Sequence, residues 1–174
     1  GVLSNDTDVE NDPLFGKSWA VKELELPNRY YSIDRNGWHF IFLDSPFRDK
    51  EKQTYTARID DEQFNWLAND LKQTGTSKPI CIVSHIPVIS ASVFFDGDCE
   101  KSGDWHIPGA WMHIDARKLK DLFFTYPNIK LAISGHVHLA DQTKYLGINY
   151  LCNGAASGAW WQGNYHEFPP MYAI

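Results

Sequence analysis

Apolar and polar positions alternate in two closely spaced runs, Tyr30-Tyr31-Ser32-Ile33-Asp34 and Trp38-His39-Phe40-Ile41-Phe42-Leu43, around Arg35-Asn36-Gly37. Alternation with period two predicts half-buried strands, and Asn-Gly between two such runs predicts a hairpin. The period then changes. Phe64, Leu67 and Leu71 recur at helical spacing with Trp66 beside them, behind Asp60-Asp61-Glu62. Acidic residues in a first turn favour the positive end of the helix dipole. Ile80-Cys81-Ile82-Val83-Ser84 and Ile129-Lys130-Leu131-Ala132-Ile133 are short apolar runs and predict buried strands. Residues 115–126 predict a second helix, with Leu119, Leu122 and Phe123 inward and Pro127-Asn128 ending it. Residues 143–146 and 148–153 predict a last hairpin around Gly147. The order is strand, strand, helix, strand, helix, strand, strand, strand, an α/β or α+β class.

Three stretches fall outside these patterns. Residues 1–28 are polar and acidic, and a segment with little regular structure is expected there. Residues 86–112 form a long connection carrying Phe94, Phe95, Trp105, His106 and Trp111. Connections of that length are usually functional or disordered. Residues 154–161 form a glycine-rich loop ending in Trp160 and Trp161. No repeat or linker divides the chain, and 174 residues fit one domain, 1–174.

Composition narrows the function. Hydrophobic residues make up 43% and the net charge is −6, with no Lys/Arg-rich run. A nucleic-acid-binding surface is therefore disfavoured. A small phosphorylated substrate stays open, because bound ions would dominate the local field. No run is long and apolar enough for a membrane helix. Cys81 and Cys152 lie in apolar runs and read as small core residues; Cys99 lies in a polar loop. Three cysteines give no disulfide framework.

The chemistry lies in the histidines. Both buried-looking strands end in one: Ser84-His85-Ile86-Pro87 after the first, Ser134-Gly135-His136-Val137-His138 after the second. Neutral imidazole is the commonest metal-binding side chain, and α/β proteins build sites at the carboxyl ends of strands. His39, alternating with aromatics, reads as packed. His106, His113 and His166 lie in or near loops by the expected cleft. Asp44 reads as a cap on the following turn. Asp96-Gly97-Asp98 lacks the further ligands of a calcium loop.

This ordered pair of motifs resembles the calcineurin-like metallophosphoesterases, a family of two-metal phosphohydrolases. The resemblance runs from about Tyr30 to the end. It implies half of a four-layer αββα sandwich, two packed sheets with outer helices. It also implies that His85 and His136 ligate one ion and His138 the other, the ions being manganese, iron or zinc. The family's earlier motifs, Asp-x-His, Gly-Asp-x-x-Asp and Gly-Asn-His, are absent here. The chain therefore reads as a single partial domain, the C-terminal half of a longer enzyme.

The parent is expected to hydrolyse phosphomonoesters or phosphodiesters by metal-bound hydroxide. The 174-residue chain is expected to be inactive alone, with at most partial metal occupancy. Edges left by the missing half are expected to invite self-association. Asn153, Trp160, Trp161 and His106 are the candidate substrate-binding residues. The two tryptophans read equally as substrate wall or as closure of a core. An alternative is a non-catalytic binding module that keeps the fold without a complete metal centre. A structural zinc site would need a fourth ligand, and no cysteine has the spacing for it.

Overall fold

The computed structural model describes residues 16–49 and 54–172. Eight strands and three helices follow in order: α1 (Lys17–Glu23), β1 (Tyr31–Arg35), β2 (Trp38–Leu43), β3 (Pro46–Asp49), β4 (Thr54–Ala57), α2 (Asp61–Thr74), β5 (Ile80–Ser84), α3 (Ala116–Phe124), β6 (Ile129–Ser134), β7 (Ala140–Tyr145) and β8 (Ile148–Asn153). One turn of 3₁₀ helix, Ser92–Phe95, sits in the long connection. The expected irregular segment contains α1 at its end. That helix buries no residue, so it carries no apolar stripe for a sequence reading to find. The rest of that segment before Gly16 lies outside the described residues.

Six strands form one mixed sheet in the order β1-β2-β5-β6-β8-β7. The inner four run parallel, and β1 and β7 close the edges antiparallel. Both edge hairpins turn on two residues with positive φ, Asn36-Gly37 (51° and 79°) and Leu146-Gly147 (49° and 86°). Such pairs match the twist of the strands they join. The β3–β4 ladder is separate. It was not anticipated, because two four-residue strands are too short to show a period.

Helix α2 begins as its sequence predicts. Asp60 caps it, its side chain accepting from the Gln63 N–H at 2.8 Å. Leu67 and Leu71 of α2 and Leu119 and Phe123 of α3 pack on Ile41, Ile80, Ile82, Ile129, Ala132, Ile148 and Tyr150, forming the main core. The alternation in β2 is visible in its burial: His39, Ile41 and Leu43 are buried, while Trp38, Phe40 and Phe42 are half-buried on the other face. His39 is packed, with Asp34 and Asp70 each 2.8 Å from a ring nitrogen. Where the resemblance implies two packed sheets, the described residues hold one six-stranded sheet and the short β3–β4 ladder.

The long connection is ordered by a second, smaller core. Val93, Val137, Leu139 and Cys152 are buried together, with Phe94, Ile107, Trp111, Tyr165 and Phe168 around them. Cys99, expected in a polar loop, is instead buried at 6% exposure. Asp141 ties the connection to β7, its Oδ2 accepting from Ser90 Oγ at 2.6 Å and from the Ser92 N–H at 2.7 Å.

Candidate functional site

Strands β5 and β6 are parallel neighbours, with Val83 opposite Ile133, so both leave the sheet at the same edge. Their exits are fastened together by the Gly135 N–H, which donates to the His85 carbonyl at 3.1 Å. The turn carrying His85 is held on both sides. Ser84 Oγ donates to the Ile86 carbonyl at 2.8 Å, and the Ile86 N–H donates to buried Ser45 Oγ at 3.0 Å. After β6 the chain alternates. Val137 and Leu139 are anchored in the second core, which leaves the side chains of His136 and His138 on the other side. Both histidines have positive φ, 76° and 61°. Side chains other than glycine pay for that conformation by roughly 1–3 kcal/mol, and such strain gathers at functional sites.

The geometry brings two histidines into contact. His85 Nε2 and His136 Nδ1 are 3.0 Å apart, with ring centroids 4.8 Å apart and planes at 73°. Adjacent nitrogens on one ion, each about 2.0–2.1 Å from it, sit about 3 Å from each other. Tyr55 OH lies 3.4 Å from His136 Nε2. His138 is turned differently. Its Nδ1 donates to the Gly158 carbonyl at 2.6 Å, which leaves Nε2 as the acceptor nitrogen. A backbone carbonyl on one ring nitrogen is the usual way a ligating histidine is oriented. The donor chemistry and the spacing of the pair therefore fit a metal. Among the described residues, however, no three His, Cys, Asp or Glu side chains form a group that could hold an ion.

Electrostatics keeps the pair neutral. Burial, and then the neighbouring His85, pushes the His136 imidazole down to about 4 from the ordinary 6.5. Burial also lowers His85, and His138 adds to it. Neutral imidazole is the form that ligates. A histidine depressed in the folded state binds fewer protons there than when unfolded. The His136 contribution to stability is therefore present above 6.5 and is lost as pH falls toward about 4, and the lowered His85 acts in the same direction.

Beneath His85 lies a buried polar chain centred on His113, a histidine whose sequence neighbourhood reads only as loop. His113, its side chain fully buried, donates from Nδ1 to Asp115 Oδ1 at 2.9 Å. Its Nε2 is 3.4 Å from Ser84 Oγ, and its N–H donates to the Pro87 carbonyl at 3.0 Å. Asp115 Oδ2 accepts from the Ile59 N–H at 3.0 Å. Burial pushes the Asp115 carboxyl up, but the hydrogen bonds from His113 and Ile59 outweigh it, and the net shift is down. That contribution to stability is present above the ordinary carboxylate range and is lost as pH falls through the lowered value. His113→Ala strands a largely buried carboxylate and opens a cavity. We expect it to cost about 3 kcal/mol in urea unfolding; an unchanged midpoint would contradict this account of the turn.

The remaining expected residues are scattered around this edge. Trp160 packs at 4.6 Å against His138, tilted by 36°, and meets Tyr165 edge-on at 5.4 Å. Trp160 is 62% and Trp161 83% exposed, so neither closes a core. Asn153, at the end of β8, lines a cleft of about 310 Å³ with Ala140, Gln142 and Met171. His106 is exposed on the connection, and among the described residues no contact joins it to His85, His136 or His138. Asp44 is no turn cap; its Oδ2 accepts from Lys17 Nζ at 2.7 Å and Arg29 Nη1 at 3.0 Å. Asp96 accepts from Tyr165 OH at 2.6 Å, which pins the last loop to the long connection.

No protein-family profile matches the chain. It is 24% identical over 131 residues to a 3',5'-cyclic-nucleotide phosphodiesterase from Nostoc sp., covering 75% of this chain and 43% of that protein. Among solved structures it is similar to a dimetal phosphatase from Danio rerio, with a TM-score of 0.57 and 12% identity. That match covers 81% of this chain and 55% of the other. A purple acid phosphatase from yellow lupin seeds overlaps less, with a TM-score of 0.43, 19% identity, and 66% and 17% coverage; no argument rests on it. The chain thus spans about half the length of the relatives it matches. Both histidine motifs lie at the carboxyl ends of adjacent parallel strands, and the chain carries a metallophosphoesterase-like fold.

Proposed function

We propose that this chain contributes histidine ligands and part of the substrate wall to a metal-dependent phosphohydrolase acting on phosphomonoesters or phosphodiesters. The observation that supports this most is the pair of ring nitrogens, His85 Nε2 and His136 Nδ1, 3.0 Å apart at the ends of adjacent parallel strands. His85 and His136 would hold one ion. His138, oriented by the Gly158 carbonyl, would present Nε2 to a second. When bound, two such ions clamp phosphoryl oxygens and make water nucleophilic near neutral pH. The protein's part is to keep the imidazoles of His85 and His136 neutral, and to hold His138 in a fixed orientation, before the ions arrive. The lowered values of His85 and His136, the strained backbone at His136 and His138, and the Ser84–His113–Asp115 chain all serve that end. The Nostoc relative is named for phosphodiester hydrolysis, which favours a diester among the substrates.

The test uses bis(p-nitrophenyl) phosphate and p-nitrophenyl phosphate with the full-length protein and added manganese, zinc or iron. Metal-dependent turnover that a chelator reverses is expected. Full-length protein that binds no metal and turns over neither ester would instead make this a binding module. The 174-residue chain alone is expected to show no turnover, since no carboxylate among its described residues completes a three-ligand group. Turnover by the chain alone that vanishes in His136→Ala would overturn that incompleteness.

A further inference from the structure

We propose that Trp160 and Trp161 form an aromatic platform beside the histidines, and that it selects phosphate esters carrying a planar aromatic group, such as a nucleobase. This inference rests on the phosphoesterase reading and names its substrate class. Three independent features of the loop carry it.

The first is exposure. Trp161 leaves 83% of its surface in water and Trp160 62%, although apolar cores lie close by. The second is strain. Trp160, Trp161 and His166 all have positive φ, at 50°, 70° and 49°, a backbone region that costs energy for any side chain but glycine. The loop is closed on itself to impose it. Ala159 N–H donates to the Gly163 carbonyl at 2.9 Å and Trp161 N–H to the Ser157 carbonyl at 2.7 Å. A fold that spends strain to hold two large rings outward has a use for their faces.

The third is position. Trp160 packs against His138 with ring centroids 4.6 Å apart and planes tilted by 36°, and it meets Tyr165 edge-on at 5.4 Å, so Trp160 is fixed to the site wall. The same loop supplies the Gly158 carbonyl that orients His138. Trp161 is the next residue, and among the described residues no ring stacks on it. A phosphate bound at the histidines would therefore carry its organic group toward an open indole. Two indoles offer stacking, which every base and aryl group accepts whatever its hydrogen-bond pattern. No charged side chain is needed, so the preference is for planarity and not for one particular base.

Binding of adenosine 5'-monophosphate and of ribose 5-phosphate to the metal-loaded full-length protein, measured by calorimetry, tests this. The base is expected to improve affinity about tenfold or more. Trp161→Leu is expected to remove that difference and leave ribose 5-phosphate affinity unchanged, while Trp161→Phe retains most of it. Trp19→Ala, at another exposed tryptophan remote in sequence, serves as the control. Equal affinity of the two ligands, or an equal difference in Trp161→Leu, would overturn the platform while leaving the phosphoesterase reading intact. Failure of ribose 5-phosphate to bind in a His136-dependent way would overturn both.

Discussion

In the full-length protein, His136→Ala is expected to lower kcat/KM for an aryl phosphate by about a thousandfold and to lower the retained metal. Metal ions contribute several kcal/mol to phosphoryl transfer, and each 1.4 kcal/mol is about tenfold in rate. The alanine removes the proposed ligand nitrogen, which sits 3.0 Å from its neighbour's. It also relieves no packing, because Val137 and Leu139 do the anchoring. The fold should survive, and circular dichroism should match the parent. His39→Ala is the contrasting case. It removes a buried histidine held between Asp34 and Asp70, opposite Ile80 at the start of β5 and so at the other end of the sheet from His85; it should cost stability without specific loss of metal.

Gly158→Ala carries the largest expected structural effect. Gly158 has φ +51°, and an added Cβ would run into the Gly163 carbonyl oxygen and reach Pro170 Cγ at 3.0 Å. The obstacle is backbone, which cannot swing aside as a long side chain can. Strain and overpacking together should cost about 2–4 kcal/mol. The consequence extends to the site. The Gly158 carbonyl is the acceptor for His138 Nδ1, so a shifted loop frees that ring to rotate. Loss of such an orienting partner typically weakens metal affinity by about 10–100-fold. Urea unfolding and metal titration of the same variant measure both effects. A variant as stable as the parent, with the same metal affinity, would mean that the loop is not held as described.

Much of this architecture was legible because its signals are local. Asn36-Gly37 announces its hairpin by the positive φ both residues adopt, and Asp60 announces α2 by its cap. The histidine motifs were legible because each closes a buried run, so its place at a strand end follows from the run itself. What escaped was set by contacts distant in sequence. His113 looked like one more loop histidine, since Ser84, its partner, is 29 residues away. Tyr55 was missed with its strand, because Thr54–Ala57 is too short to show alternation and its neighbour His136 is 81 residues on. Cys99 was read from polar neighbours, whereas the apolar packing of Val93, Phe94 and Trp111 onto Val137 decides its burial. The orientation of His138 depends on a carbonyl 20 residues ahead, so the sequence motif carries the histidine without its direction.

The most direct measurement is anomalous X-ray scattering at a metal edge from crystals of the full-length protein grown with manganese or zinc. An anomalous peak about 2.0–2.2 Å from His85 Nε2 and His136 Nδ1, with a second within reach of His138 Nε2, is the expected result. Crystals with full metal loading elsewhere, and His85 and His136 still bonded ring to ring at 3.0 Å, would contradict it.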